Sequence, residues 1–285
     1  MELTLKNVSF SYNPDAKEPK YAVKDVSFTI RDGEFCALIG HTGSGKSTLV
    51  QFLNGLMEPT SGEVLFNGEN IFEKKYPLKT LRQKVGLVFQ YPEHQLFEET
   101  ILKDICFGPK NMGLPKEEQL ARARHAMELV GLPESYEEKS PFELSGGEKR
   151  RVAIAGVLAM SPECLILDEP TAGLDPAGRD DILGTVRELS DQEGIAVVLV
   201  SHSMEDVAVY AERLLVMNSG TLVYDDTPRN VFRHYKELEE IGLSAPQITY
   251  VAHALKEKGF DIDDSVMTIA EAKAEILRIF RERNS

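Results

Sequence analysis

The sequence predicts an α/β chain in which a mostly parallel sheet with crossover helices follows a strand-and-turn segment and precedes an appended helical module. Three observations predict it. After residue 30, short apolar runs alternate with helical patterns, as expected where each strand is followed by a crossover helix. A glycine-rich turn falls between one such run and the helix that it feeds. Past Tyr224 buried strands give way to turn signals and long charged helical segments.

The elements follow in order. MELTLKNVSF has neither the basic start nor the apolar block of a signal peptide, and alternation already begins at Leu3, Leu5 and Val8. FCALIG (35–40) reads as a buried strand and GKSTLVQFLNGL (45–56) as the helix after it. CLILDEP (164–170), IAVVLVSH (195–202) and RLLVMNSG (213–220) read as further buried strands. Helical patterns run from about 116 to 130 and from 148 to 160, which makes the middle region helix-rich. Near the end, TIAEAKAEILRIF opens with a capping box from Thr268 to Glu271. It sets Ile269, Ala272, Ile276 and Phe280 on one face. No internal repeat or low-complexity tract is evident.

Composition limits the function classes. A chain of 285 residues buries roughly 75% of its unfolded surface, so it needs no disulfide or metal staple. A formal net charge of -14 argues against nucleic acid as a partner, because such proteins neutralise phosphates with Lys and Arg. Cys36, Cys106 and Cys164 have no metal-site spacing, and two of them lie in apolar runs. They read as buried thiols of a reducing cytosol. No apolar run approaches the roughly 18 residues of a membrane span, so a cytoplasmic protein is expected, with any membrane role reached through a partner.

The chemistry starts at GHTGSGKST (40–48), which matches the phosphate-binding P-loop pattern between a strand and a helix. Gly40, Gly43 and Gly45 let the backbone turn, so that the N–H groups of Gly40, His41, Thr42, Gly43, Ser44, Gly45, Lys46, Ser47 and Thr48 can surround phosphate oxygens. Lys46 neutralises the outer phosphates and Ser47 offers a hydroxyl to Mg²⁺. A triphosphate also needs its metal and its water held. Asp168, ending a buried strand, suits the Mg²⁺ shell, and Glu169 suits orienting or deprotonating the attacking water. His202 follows another strand and would reach the same sheet edge, as a γ-phosphate donor or as a structural histidine. Gln90, after VGLVF, is an amide able to bridge metal, water and a neighbouring segment, and alone it means little. A second cluster of donors stands at LSGGEKRR (144–151), where Ser145, Gly146 and Gly147 precede a helical run.

In order, GHTGSGKST, VFQ, LSGGE, CLILDEP, AGLDP and VSH closely resemble the ATP-binding subunits of ABC transporters, over roughly residues 1 to 230. The resemblance implies the P-loop ABC ATPase fold: a RecA-like, mostly parallel sheet, an antiparallel β subdomain, and a helical subdomain over about 91–160. The ATPase domain would cover 1–228, and a C-terminal helical module 229–285 would help two ATPases pair. It implies ATP and Mg²⁺ as cofactors, with Ser47, Gln90 and Asp168 at the metal. Lys46, Gln90, Glu169 and His202 would be catalytic, and Tyr12 the aromatic that stacks on adenine, against the alternative of a core strand tyrosine. In this family Ser145, Gly146 and Gly147 dock on ATP held by a second subunit, head to tail, which answers why one domain carries two anion-binding loops. Asp175 lies where the family's interface-crossing loop falls, and Glu148 stands where Gln is more usual.

Residues 89–114, 140–160 and 245–260 resemble the ATPases of energy-coupling factor importers. That implies a second ATPase, identical or related, a transmembrane coupling subunit, and a substrate-binding membrane subunit that recognises a vitamin or transition-metal ion. The chain would sit peripherally on the cytoplasmic side of the membrane. Tyr91, Leu96 and Phe97, among Glu93, Glu98 and Glu99, would form the groove for a helix of the coupling subunit. The alternatives are another importer class, or a non-transport ABC protein, against which the single ATPase unit and the acidic balance argue.

Overall fold

The computed structural model describes residues 1–283. The chain opens with β1 (Glu2–Ser11) and β2 (Tyr21–Arg31), then β3 (Phe35–Gly40), α1 (Lys46–Leu53), β4 (Ser61–Phe66) and β5 (Glu69–Asn70). Next come α2 (Leu78–Lys84), β6 (Val85–Val88), a 3₁₀ turn (Pro92–Gln95), α3 (Ile101–Asn111), α4 (Lys116–Leu129) and α5 (Gly146–Leu158). β7 (Cys164–Asp168), α6 (Pro176–Glu193), β8 (Ala196–Val200), α7 (Met204–Tyr210), β9 (Arg213–Asn218) and β10 (Thr221–Asp226) complete the sheets. α8 (Pro228–Phe232), α9 (Tyr235–Glu240), α10 (Gln247–Glu257) and α11 (Ile269–Arg283) end the chain.

Two sheets result. The larger runs β10-β9-β3-β8-β7-β6, with β6, β7, β8, β3 and β9 parallel and β10 added antiparallel at one edge. The smaller runs β2-β1-β4-β5 and is antiparallel throughout. Parallel strands covered on both faces need apolar side chains at every position, and these have them. In β7, Leu165 and Leu167 enter the core shared with α3 to α6, while Cys164 and Ile166 face the core beneath the smaller sheet and α1. β8 divides in the same way, Val197 and Leu199 to one side and Ala196, Val198 and Val200 to the other. All three cysteines are buried free thiols, and burial pushes Cys164 up to about 12, which makes it unreactive.

The chain after β10 packs as two groups. Val231, Phe232, Leu238 and Ala245, from α8, α9 and the segment after them, share a core with Ala37 and Ile39 of β3 and Leu214 and Val216 of β9. Ala252 of α10, Ile262, Val266, and Ala272 and Ile279 of α11 make a separate small cluster. The capping box at Thr268 forms as expected, with the Glu271 N–H donating to Thr268 Oγ1 at 3.2 Å and the Thr268 N–H to Glu271 Oε2 at 3.2 Å. The buried stripe of α11 differs from the one expected. Ala272, Ile276 and Ile279 pack inward, while Ile269 and Phe280 are 77% and 60% exposed. At 100° per residue those two lie roughly 60° and 80° around the helix from Ala272, on the shoulder of a stripe too narrow to cover them.

Candidate functional site

The carboxyl ends of the parallel strands bring the predicted residues together. β3 stops at Gly40, and the chain turns through residues 41–45 into α1. A Cβ on Gly40 would collide with Ser44 Oγ and the Met217 carbonyl, and one on Gly45 (φ 106°) with the Ala22 carbonyl. Gly43 (φ 81°) has open space where a Cβ would stand, so its requirement is conformational rather than steric. The cradle encloses Lys46, 6% exposed, whose ammonium donates to the carbonyls of Gly40 (2.7 Å) and His41 (3.2 Å). Burial lowers the Lys46 pKa, opposed by the carboxylates of Glu169 and Asp168. Ser44 Oγ is buried inside the cradle without a hydrogen-bond partner and is available to an incoming acceptor or donor. Ser47 is exposed at the start of α1.

Asp168 ends β7, beside Val200 of β8. Burial, then the adjacent Glu169, raises its pKa, and the positive charges of Lys46 and His202 oppose that shift. Glu169 has φ 52°, a left-handed conformation that a non-glycine residue adopts only when its surroundings impose it. The Glu169 N–H donates to the Val200 carbonyl at 3.1 Å. Its side chain is bracketed: Gln90 Nε2 donates to Oε2 at 2.7 Å, and His202 Nε2 lies 2.8 Å from Oε1. Gln90 and His202, weak signals singly, thus meet on one carboxylate. A cleft of about 260 Å³ opens here between Glu169, His202, the Thr171–Gly173 turn and Arg179 of α6.

Tyr12 is 63% exposed, edge-on to Phe10 (4.9 Å between centroids), with its hydroxyl 3.1 Å from Thr48 Oγ1. It stands beside the cradle, in contact with Phe10 but otherwise largely exposed, and is not a core tyrosine.

The second loop is built differently. Ser145 caps α5, and Glu148 folds back on it: Oε2 accepts from the Ser145 N–H (2.8 Å) and hydroxyl (2.7 Å), and Oε1 from the Tyr136 hydroxyl (3.0 Å). These bonds hold the Glu148 pKa below the usual carboxylate range. Ser145 and Gly146 are exposed, and a Cβ on Gly146 or Gly147 would meet nothing within 4 Å. None of the three lines the cleft at Glu169. Asp175 caps α6, accepting from the Gly178 N–H at 2.8 Å.

The ABC transporter family profile matches residues 23–172. The energy-coupling factor transporter ATP-binding protein EcfA2 of Clostridium perfringens is 54% identical over 285 residues, all of both chains. That of Clostridium tetani is 55% identical over 284 residues, 99% of each. Among solved structures, cbiO1 of Clostridium perfringens, described as part of the ABC transporter complex cbiONQ, is 35% identical at a TM-score of 0.76, covering 89% of this chain and 98% of its own. A dimeric ATP-binding cassette in a post-hydrolysis state with ADP and Pi is 31% identical at a TM-score of 0.70, covering 79% and 98%. The chain belongs to the energy-coupling factor branch of the ABC transporter ATPases. It is therefore an ATP-binding, transport-coupled ATPase, and its fold is that of the ABC cassettes.

A groove of about 520 Å³ lies on the helical side of this ATPase, lined by Leu96, Phe97, Phe107, Val157 and Met160 together with Asp104. Its position after Gln90 is the one expected, but its composition is not. Leu96 is 8% exposed and belongs to the core, so it contributes only the floor. Tyr91, Glu93, Glu98 and Glu99 do not line it; Glu93 is paired with the buried Arg150, and Glu99 makes an exposed ion pair with Lys103. The acid in the groove is Asp104, which accepts the N–H groups of Phe97 and Glu98, both at 2.9 Å, and whose pKa burial raises. Sequence reading missed Asp104, Arg179 and Arg150. Only Arg150 carried a signal: it shares the i, i+4, i+8 stripe with Ile154 and Leu158, a charge on a buried helical face. Among the described residues no cluster of three or more His, Cys, Asp or Glu could hold a metal, and no helix is long and apolar enough to cross a membrane.

Proposed function

We propose that this ATPase hydrolyses MgATP at the Gly40–Thr48 loop and couples the cycle to import through a membrane complex. The observation that carries the reading is the Glu169 carboxylate, held by Gln90 and His202 beyond the cradle that encloses Lys46. Phosphates entering the cradle would take Lys46 from the Gly40 and His41 carbonyls and give Ser44 Oγ a partner. Mg²⁺ is ordinarily bound by one or two carboxylates, phosphate oxygens and water rather than by a protein cage, so a site with Asp168, the Ser47 hydroxyl and the Gln90 amide fits it. Asp168, Ser47 and Gln90 would hold it there, and it would supply positive charge against the negative charge of the phosphates.

The chain's own residues do the rest. Glu169 accepts a proton from, or orients, the attacking water, and His202 holds that carboxylate through Nε2, a donor that it would turn to an arriving γ-phosphate. Lys46 stabilises charge developing in flight, and Tyr12 offers its exposed ring to the adenine. Ser145, Gly146 and Gly147 complete the site of a second ATPase subunit paired head to tail. The exposure of Ser145 and Gly146 and their absence from the lining of the chain's own cleft support that pairing.

The same reading has a transmembrane coupling subunit seated in the groove at Phe97 and Phe107, a separate membrane protein recognising a vitamin or transition-metal ion, and this chain held peripherally on the cytoplasmic side. α10 and α11, with Val251 and Phe280 exposed, would add to pairing of the two ATPases. Glu169→Gln tests the catalytic half: hydrolysis should fall at least about a hundredfold while ATP binding persists, the loss expected for a general base. Near-normal turnover removes Glu169 from the role. Phe97→Ser with Phe107→Ser tests the other half, since both rings are exposed and their loss should spare the fold but abolish co-purification with membrane subunits.

A further inference from the structure

We propose that Arg150 is a positioning residue that locks the segment after Gln90, helix α5 and the turn after Glu169 into one body, so that the groove follows the nucleotide site. The inference rests on the nucleotide-site reading above. Arg150 is 2% exposed, and its guanidinium is used on every side. Nε donates to Glu93 Oε2 at 3.3 Å, and Nη2 to Oε1 at 3.0 Å and to Oε2 at 3.1 Å. Nη1 donates to the Ala172 carbonyl at 3.1 Å.

The partners sit where coupling needs them. Glu93 belongs to the short turn Pro92–Gln95, which begins just after Gln90, the donor to Glu169, and ends just before Leu96 and Phe97 in the groove. Ala172 lies in the turn between Glu169 and Asp175 and lines the cleft at Glu169. Arg150 itself stands in the second turn of the helix that Ser145 caps. One side chain thus joins the middle of the lever between Glu169 and the groove to the turn that follows Glu169. Each of its three nitrogens already donates to Glu93 or to the Ala172 carbonyl.

A buried guanidinium cannot lose one partner cheaply, which keeps the three segments in fixed relation. Arginine is specifically required, because only its planar fork satisfies a carboxylate through two nitrogens and a carbonyl through the third; a lysine ammonium is a point charge on a flexible stem.

The test uses the full chain with Phe97→Cys labelled by an environment-sensitive dye, which is selective because the three native thiols are buried. ATP affinity, dye response to ATP, melting temperature, kcat and KM are measured in this parent, in the Glu93→Leu/Arg150→Met pair, and in Arg150→Lys. The apolar pair leaves no buried charge unmatched, so it should fold and bind ATP as the parent does. Both variants should lose most of the dye response. Their kcat should fall about tenfold or more, as expected when a displaced support misplaces a catalytic group, while KM stays within about twofold. A parental dye response and kcat in the apolar pair would overturn the inference. Should that pair fail to fold, the same parental behaviour in Arg150→Lys overturns it. A parent that binds ATP without any dye response also overturns it. A parent that binds no ATP overturns the nucleotide-site reading and this one with it.

Discussion

Two glycine-bearing loops open helices in this chain, and they solve the same problem to different degrees. Before α1, residues 40–45 wrap an ammonium inside the cradle, with Asp168 and Glu169 close enough to shift its pKa. Before α5, Ser145 to Gly147 face solvent, and the charge at hand is the chain's own Glu148, bonded to the same Ser145 N–H and hydroxyl that an external anion would use. Helix N-termini attract anions in both cases. Only the first encloses a lysine and has the carboxylates of Asp168 and Glu169 brought beside it by the end of a neighbouring strand. The difference teaches that a donor cluster gains its charged groups from what the sheet brings to it, and that the second loop has the Glu148 of its own helix in their place.

Lys46→Ala should break the first loop outright. A buried cation that neutralises phosphate has no replacement in the cradle, so ATP binding measured by calorimetry or nucleotide fluorescence should weaken by about a hundredfold or more, the scale of a lost charge-assisted contact. Binding at the parental affinity would mean that the loop does not hold the phosphates.

Ser145→Arg should break the second loop and leave the first intact. The monomer should still bind ATP, while hydrolysis falls by about a hundredfold or more because donors for the partner's γ-phosphate are lost. Size-exclusion chromatography with ATP should show no dimer. If hydrolysis persists in monomers, the two loops serve one chain after all.

Tyr12→Ala should raise KM for ATP several-fold, on the order of 1 kcal/mol of stacking, with kcat little changed, since stacking is equal in ground and transition states. An effect on melting without one on KM would return Tyr12 to a structural role, against its exposure.

The smallest effect is expected at Glu148→Gln. The Glu148 pKa is depressed in the folded state, so its contribution to stability is present above the unfolded carboxylate pKa and lost as pH falls through the depressed value. The variant should melt slightly below the parent at neutral pH, and the gap should close under acid. A gap independent of pH would mean that the carboxylate's charge plays no part in the cap.

Particular elements show how much could be read in advance. FCALIG, CLILD and AVVLV are apolar at nearly every position, and strands covered on both faces have no other composition, so the large sheet was legible. Glycines spaced for a phosphate turn before Lys46 were equally legible, because the turn is local. The inward stripe of α11 was not, since it depends on which neighbours cover it. Nor was the role of Glu93, read as a groove acid and found paired to Arg150. The sequence determined what local chemistry and periodicity settle: the buried strands, the cradle, the capping box at Thr268, and the family. Tertiary structure alone decided which charges meet. Gln90 and His202 meet on Glu169, and Arg150 meets Glu93 and the Ala172 carbonyl, across long stretches of chain, while Asp104 rather than Glu98 lines the groove. Burial makes the Arg150 pairing obligatory, whereas the exposed Gln90 and His202 reach Glu169 because the strand ends place them there.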